Sequence, residues 1–121
     1  MVDDDVDDQE LFQMALGEVG KNISLVIANN GVEALNKLNE DPMYVPEFIF
    51  LDVNMPKMNG LQCLTKLKQL PHLSDAKIIM YSTSSDPKII NESKKLGATD
   101  YEIKPPSLSA LIEKLSRIFT N

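Results

Sequence analysis

An α/β domain with a parallel sheet is predicted by short apolar runs that alternate with amphipathic stretches of helical period. Two observations carry this. Ile23–Ala28, Phe48–Leu51 and Lys77–Ser82 are brief and rich in Ile, Val, Leu and Phe, as in strands covered on both faces. Between them, Val32, Leu35 and Leu38, and again Leu61, Leu64 and Leu67, recur at helical spacing.

Taken in order, residues 8–19 place Leu11, Phe12, Ala15, Leu16 and Val19 on one helical face, with Asp5, Asp7 and Asp8 suited to the helix start and Gly20 ending it. Ile23–Ala28 is predicted as a strand, Gly31–Asn39 as a helix and Glu47–Asp52 as the second clear strand. Leu61–Leu70 is a helix stopped by Pro71, and Lys77–Ser82 a strand. Asp86-Pro87 reads as N-cap and first turn of a helix running to Leu96, with Gly97 as its C-cap. Thr99–Ile103 is the last strand, and Ser107 caps a final helix carrying Leu108, Leu111, Ile112, Leu115 and Phe119. A strand should also precede the acidic turn, yet only Met1 and Val2 stand before Asp3, so the first strand is expected to be truncated or missing.

Composition narrows the function classes. At 121 residues the chain makes one core and one domain. A net charge of −6 argues against non-specific nucleic-acid binding. No run approaches the ~20 apolar residues of a membrane span. Cys63 is the one cysteine, which excludes an internal disulfide, fits a reducing cytoplasm and reads as a core residue. His72 reads as a surface residue; without a second histidine or a reactive thiol, no hydrolase-type nucleophile and base pair is available.

The chemistry-bearing residues collect where apolar runs meet turns. Asp52 closes a buried strand, at the strand end where open α/β sheets gather ligands. Asp3 and Asp4 stand where the first strand should end. Clustered carboxylates repel unless a cation sits among them, and an all-oxygen site suits Mg²⁺, with the Asn54 carbonyl as a further donor. Lys104 ends the last strand and brings a point charge, while Ser82 ends the fourth and brings a hydroxyl. Carboxylate, metal, ammonium and hydroxyl around one point are what phosphoryl transfer to Asp52 requires. A calcium loop through Asp3, Asp5 and Asp7 fails, because Asp8 holds the glycine slot and Met14 the glutamate slot.

Together LDVNMPKMNG, the leading DDD, the IIMYSTS strand end and DYEIKP resemble the receiver domain of two-component response regulators, over Val2 to Phe119. The resemblance implies a flavodoxin-like, doubly wound parallel sheet of strand order 2-1-3-4-5. It implies Asp52 as phosphoacceptor, and Mg²⁺ held by Asp4, Asp52 and the Asn54 carbonyl, with Asp3 acting through water. Ser82, Lys104 and Tyr101 take the phosphoryl-binding and switch positions, and the Lys104–Pro105 bond is expected to be cis. Residues 1–121 then form a single receiver with no output domain, similar to the small receivers paired with phytochrome-type or hybrid kinases. A sensor histidine kinase or phosphotransfer domain would supply the phosphoryl group. The face of the fourth helix, fifth strand and fifth helix would meet a downstream protein or a second copy, with no role for nucleic acid or membrane. The chain would then be no enzyme. The alternative is a haloacid-dehalogenase-type, Mg²⁺-dependent phosphatase with Asp52 as nucleophile. That class needs an acid two residues on, where this chain has Asn54.

Overall fold

The computed structural model describes residues 1–20 and 22–119. Helix α1 (Val6–Val19) opens on the Asp5 side chain, which accepts from the Asp8 amide. Helix α2 (Gly31–Glu40) is capped by Asn30, and α3 (Gly60–Lys68) by Asn59 with Gln62 in a reciprocal capping box. Helix α4 (Pro87–Lys95) starts at Asp86-Pro87, and in α5 (Leu108–Phe119) the Ser107 hydroxyl accepts from Ala110 N–H. Strands β1 (Phe48–Leu51), β2 (Lys77–Ser82) and β3 (Asp100–Ile103) pair in parallel in that order, with Ile49 opposite Ile78 and Tyr81 opposite Glu102.

The first predicted strand is present as a stub. Val2 bridges Ala28 on one side and Leu51 on the other, both in parallel sense. Its N–H reaches Phe50 O at 2.7 Å, and its carbonyl accepts from Asp52 N–H at 3.0 Å. The segments therefore lie in the order 26–28, 1–3, β1, β2, β3, which is the 2-1-3-4-5 arrangement. Ile23–Ala28, predicted as a strand, forms a ladder only at its end. Residues 23–27 form no ladder, because the stub beside them is too short to pair with them and propensity there has no partner to act on. Helix α3 also stops at Lys68, before Pro71, which instead starts a 3₁₀ turn through Leu73.

Alternation along the strands divides the core into two layers. Ile49, Leu51, Ile78 and Met80 face Ala34, Leu38, Cys63, Leu64 and Leu67 of α2 and α3. Phe50, Ile79 and Tyr81 face Phe12, Ala15, Leu16, Leu111 and Leu115 of α1 and α5. The Phe12 ring stands edge-on to Phe50 at 4.9 Å and to Tyr81 at 5.6 Å between centroids. Burial pushes the Cys63 thiol up to about 11, in line with its core position. His72, expected at the surface, is half-buried, and its Nε2 is enclosed without a hydrogen-bond partner. It sits on the 3₁₀ turn, whose Leu73 is drawn into the core.

Gly60 fixes how the chain turns after β1. Its N–H donates to Val53 O at 2.7 Å, and a Cβ there would overlap the Asp52 carbonyl oxygen and press on Val53 Cα at 2.7 Å. Both contacts are backbone and cannot rotate away. Gly60→Ala should therefore cost about 2 kcal/mol or more in urea unfolding. A loss under about 0.5 kcal/mol would show that the turn is not held at this approach. Native Cys63 should resist alkylation at pH 8 and react only as the chain unfolds, since a thiolate is disfavoured there. Fast modification of folded protein would contradict that burial.

Candidate functional site: an acidic cluster around one lysine

The sheet delivers three carboxylates to one end. Asp3 follows the stub and Asp52 follows β1, and the shared ladder through Val2 holds their backbones side by side. Asp4 adds a third group. Oxygens of Asp3, Asp4 and Asp52 lie within 4.8 Å of one another, with Asp3 and Asp52 buried and Asp4 exposed. The acidic turn is tied down locally: Asp3 Oδ1 accepts from Asp5 N–H at 2.9 Å, and Gln9 Nε2 donates to Asp3 O at 2.6 Å and to Asn29 Oδ1 at 2.9 Å.

Lys104 enters from the end of β3. Its backbone N–H donates to Ser82 O at 2.8 Å, and its ammonium lies 2.8 Å from Asp3 Oδ2, 2.7 Å from Asp8 Oδ2 and 3.4 Å from Asp52 Oδ2. The Lys104 side chain is only 9% exposed, so these charges interact in a partly dry setting. Asp3 Oδ2 is fully enclosed, and the Lys104 ammonium is the one charged partner it meets among the described residues.

Burial raises Asp52, offset in part by the charge of Lys104, and Asp3 beside it adds to the rise. Burial likewise raises Asp3, against hydrogen bonds from Lys104 and from the Asp5 amide. For Lys104 burial acts downward, but its bonds to Asp3 and Asp8 and the charge of Asp52 outweigh it and leave the ammonium raised. Three carboxylates thus share one cation, with Asp4 close to two of them. That deficit is what a divalent cation relieves, and an all-carboxylate donor set suits a hard one.

The remaining predicted residues are placed as follows. Ser82 ends β2 fully buried, and its Oγ accepts from Ser84 N–H at 3.3 Å. The Asn54 amide donates to the Asp52 carboxylate. Tyr101, on β3, is half-buried and reaches Ser84 O with its hydroxyl at 2.7 Å, away from the carboxylates. The cis expectation at Lys104–Pro105 is corrected, since no described peptide bond is cis. Trans is the lower-energy isomer of an X–Pro bond by about 0.5–1 kcal/mol. In the trans form Lys104 already meets both Ser82 and the acidic cluster.

Asp8 was read from sequence only as a helix-start charge, yet it makes the shortest contact to Lys104. Its signal was its place in the first turn of α1, directly after the acidic turn that carries Asp3 and Asp4.

The family model for the response regulator receiver domain matches residues 1–116. The chain belongs to that family. The chemotaxis protein CheY of Thermotoga maritima is 29% identical, over 93% of this chain and 92% of that protein. CheY of Bacillus subtilis is also 29% identical, with the same shares covered. Among solved structures, response regulator Rcp1 in its Mn²⁺-bound form superposes with a TM-score of 0.86, at 27% identity, over 98% of this chain and 88% of that one. The phosphorylated cyanobacterial phytochrome response regulator RcpA gives 0.86 at 29% identity, over 97% and 86%. This receiver is thus a phosphorelay signalling module with the flavodoxin-like fold, and receivers bind a divalent metal and take their phosphoryl group from histidine kinases or phosphotransfer proteins. Among the described residues no helix is long and apolar enough to cross a membrane.

A divalent cation should raise the melting temperature by mass action, because it relieves repulsion present only when the chain is folded. Millimolar Mn²⁺ at pH 7 is expected to do so, with a smaller rise for Asp4→Asn. The carboxylates that burial raises keep their protons further above the ordinary 3.8, so the metal must displace protons and the gain should shrink toward pH 4. In the metal-free chain the sign is opposite. A raised carboxylate stabilises the fold below its ordinary value, and that contribution is lost as pH rises through the folded one. A melting temperature indifferent to Mn²⁺ would show that the cluster does not bind metal.

Proposed function

We propose that Asp52 is the phosphoacceptor of this receiver and that Mg²⁺ is its working metal. The observation that carries the reading is the placement of Asp52: a buried carboxylate at the end of the central β1, facing both a shared ammonium and an acidic pair. An Asp52 oxygen attacks the phosphorus of a phosphohistidine on a sensor kinase or phosphotransfer domain. The P–O bond to Asp52 forms as the P–N bond breaks, and the imidazole leaves with the electron pair. Asp4, Asp52 and the Asn54 carbonyl would hold Mg²⁺, with Asp3 acting through water. The metal supplies neutralisation of charge on the transferring group. Lys104 exchanges part of its contact with Asp3 and Asp8 for a phosphoryl oxygen.

Readout passes through Ser82 and Tyr101. The phosphoryl group offers the Ser82 hydroxyl a charged acceptor, and a bond of that kind is worth about 1.5–3 kcal/mol. Tyr101 is linked to the same loop by its bond to Ser84 O, so movement of that loop reaches β3 and the α4 and α5 surface. That face, formed by α4, β3 and α5, is where a downstream protein or a second copy would bind. The phosphatase alternative lacks its acid, because Asn54 stands two residues after Asp52 and cannot transfer a proton.

Incubation with acetyl phosphate and Mg²⁺ should give one hydroxylamine-labile phosphoryl group per chain, and none on Asp52→Asn. Label that survives in Asp52→Asn would place the acceptor elsewhere, and multiple turnover of small phosphoesters would favour the phosphatase. Lys104→Ala should keep a cooperative fold but weaken phosphorylation or the change in partner binding that follows it. Unaltered labelling and partner response in that variant would remove the lysine from the mechanism.

A further inference from the structure

The shortest contact of the Lys104 ammonium is with a carboxylate outside the metal cluster. Asp8 Oδ2 accepts a hydrogen bond from Nζ at 2.7 Å, whereas Asp52 Oδ2 stands 3.4 Å away. The carboxylates grouped closely enough to share one cation are Asp3, Asp4 and Asp52, and Asp8 is not among them. Neither metal binding nor attack on phosphorus uses Asp8, so its hold on the lysine needs another account.

Asp8 is the fixed partner of that bond. Its N–H donates to the Asp5 side chain at 3.1 Å in the first turn of α1, and the helix is anchored further on by buried Phe12, Ala15 and Leu16. The start of a helix also favours a negative charge there. Lys104 is the movable partner. Its backbone is tied to Ser82 O at 2.8 Å, but the ammonium rides on a flexible four-carbon stem with three rotatable donors. It therefore has two stations, one beside Asp8 on α1 and one beside Asp52 after β1, and it stands at the first. The Asp8 side chain is 29% exposed and that of Asp52 only 8%, so water can take over Asp8 when the lysine leaves, without stranding a charge in the core.

We propose, on the reading of Asp52 as phosphoacceptor, that Asp8 is a positioning residue that holds Lys104 off the acceptor and so weakens the receiver's hold on its phosphoryl group. A charge-assisted bond is made at about 2.7–2.9 Å, so gripping an oxygen carried by Asp52 draws the ammonium away from Asp8. Asp8 thus competes for the lysine without touching the phosphoryl group or the metal. The balance between the two stations then sets how far phosphorylation proceeds at a given supply of donor.

Beryllofluoride, which caps a carboxylate oxygen as a phosphoryl group does, tests this when titrated into the full chain at saturating Mg²⁺, with the fold of each variant checked by its melting temperature. Asp8→Asn keeps the size and removes the charge, and it should bind the mimic about fivefold more tightly than the parent or better. A residue that only supports the fold would weaken binding when replaced. Asp8→Glu restores a charge within reach of Nζ, and Asp7→Asn changes the net charge equally at an exposed position that does not meet Lys104. Both should stay within about twofold of the parent. Binding by Asp8→Asn no tighter than the parent's would overturn the proposal while leaving Asp52 as acceptor. An equal gain in Asp7→Asn, or the whole gain kept in Asp8→Glu, would do the same. A parent that binds no beryllofluoride, with acetyl phosphate still labelling Asp52→Asn, would remove the reading of Asp52 and this role of Asp8 with it.

Discussion

The sharing of one ammonium among several buried carboxylates organises this molecule. Lys104 is too few charges for Asp3, Asp8 and Asp52, with Asp4 at their margin. Charges so placed cannot all be satisfied at once, and burying them costs more than a surface pair would return. The fold tolerates this because the two-layer core supplies the stability and the sheet ends supply the geometry. The resulting imbalance is the property a signalling site needs, since a metal or a phosphoryl group entering it changes which pairs are made.

The ladder through Val2 makes the site possible. Val2 lies between Ala28 and Leu51 and bonds to Phe50 O and Asp52 N–H, while Met1 and Asp3 beside it bond to Ala28, so the acidic turn and Asp52 are referred to the same peptide units. Gly60 then brings the start of α3 against the Asp52 carbonyl, closing the turn from behind. Asp52 is thus fixed by neighbours in space that are remote in sequence. The acidic turn also leans on Gln9 and Asn29, side chains with no direct part in the chemistry.

Helix caps and covered strands were legible in the sequence because they are local. Asp86 and Ser107 announce their helices by side-chain bonds to amides two or three residues on, and Asn30 and Asn59, not read as caps from the sequence, do the same. The run Lys77–Ser82 could be placed from its β-branched and aromatic content alone. Residues 23–27 show the limit: the same kind of composition forms no ladder when the partner strand is a stub. The site was legible as a set of strand-end residues, and Asp3, Asp4, Asp52 and Lys104 do converge. Its internal pairing was not, because which carboxylate takes the closest contact depends on the pitch of α1, and that brought Asp8 in.

The Lys104 ammonium lies over the Tyr81 ring, 5.6 Å from its centroid, within the range where a cation and an aromatic face attract. The chain has three tyrosines and no tryptophan, so its near-ultraviolet absorption and emission come from phenol rings without a stronger chromophore to mask them. Tyr81 is buried, while Tyr44 is exposed and Tyr101 is engaged with Ser84. A lysine that slides toward Asp52 changes the electric field across one identifiable ring. Such a movement would register in tyrosine absorption, where stopped flow could follow it without a label.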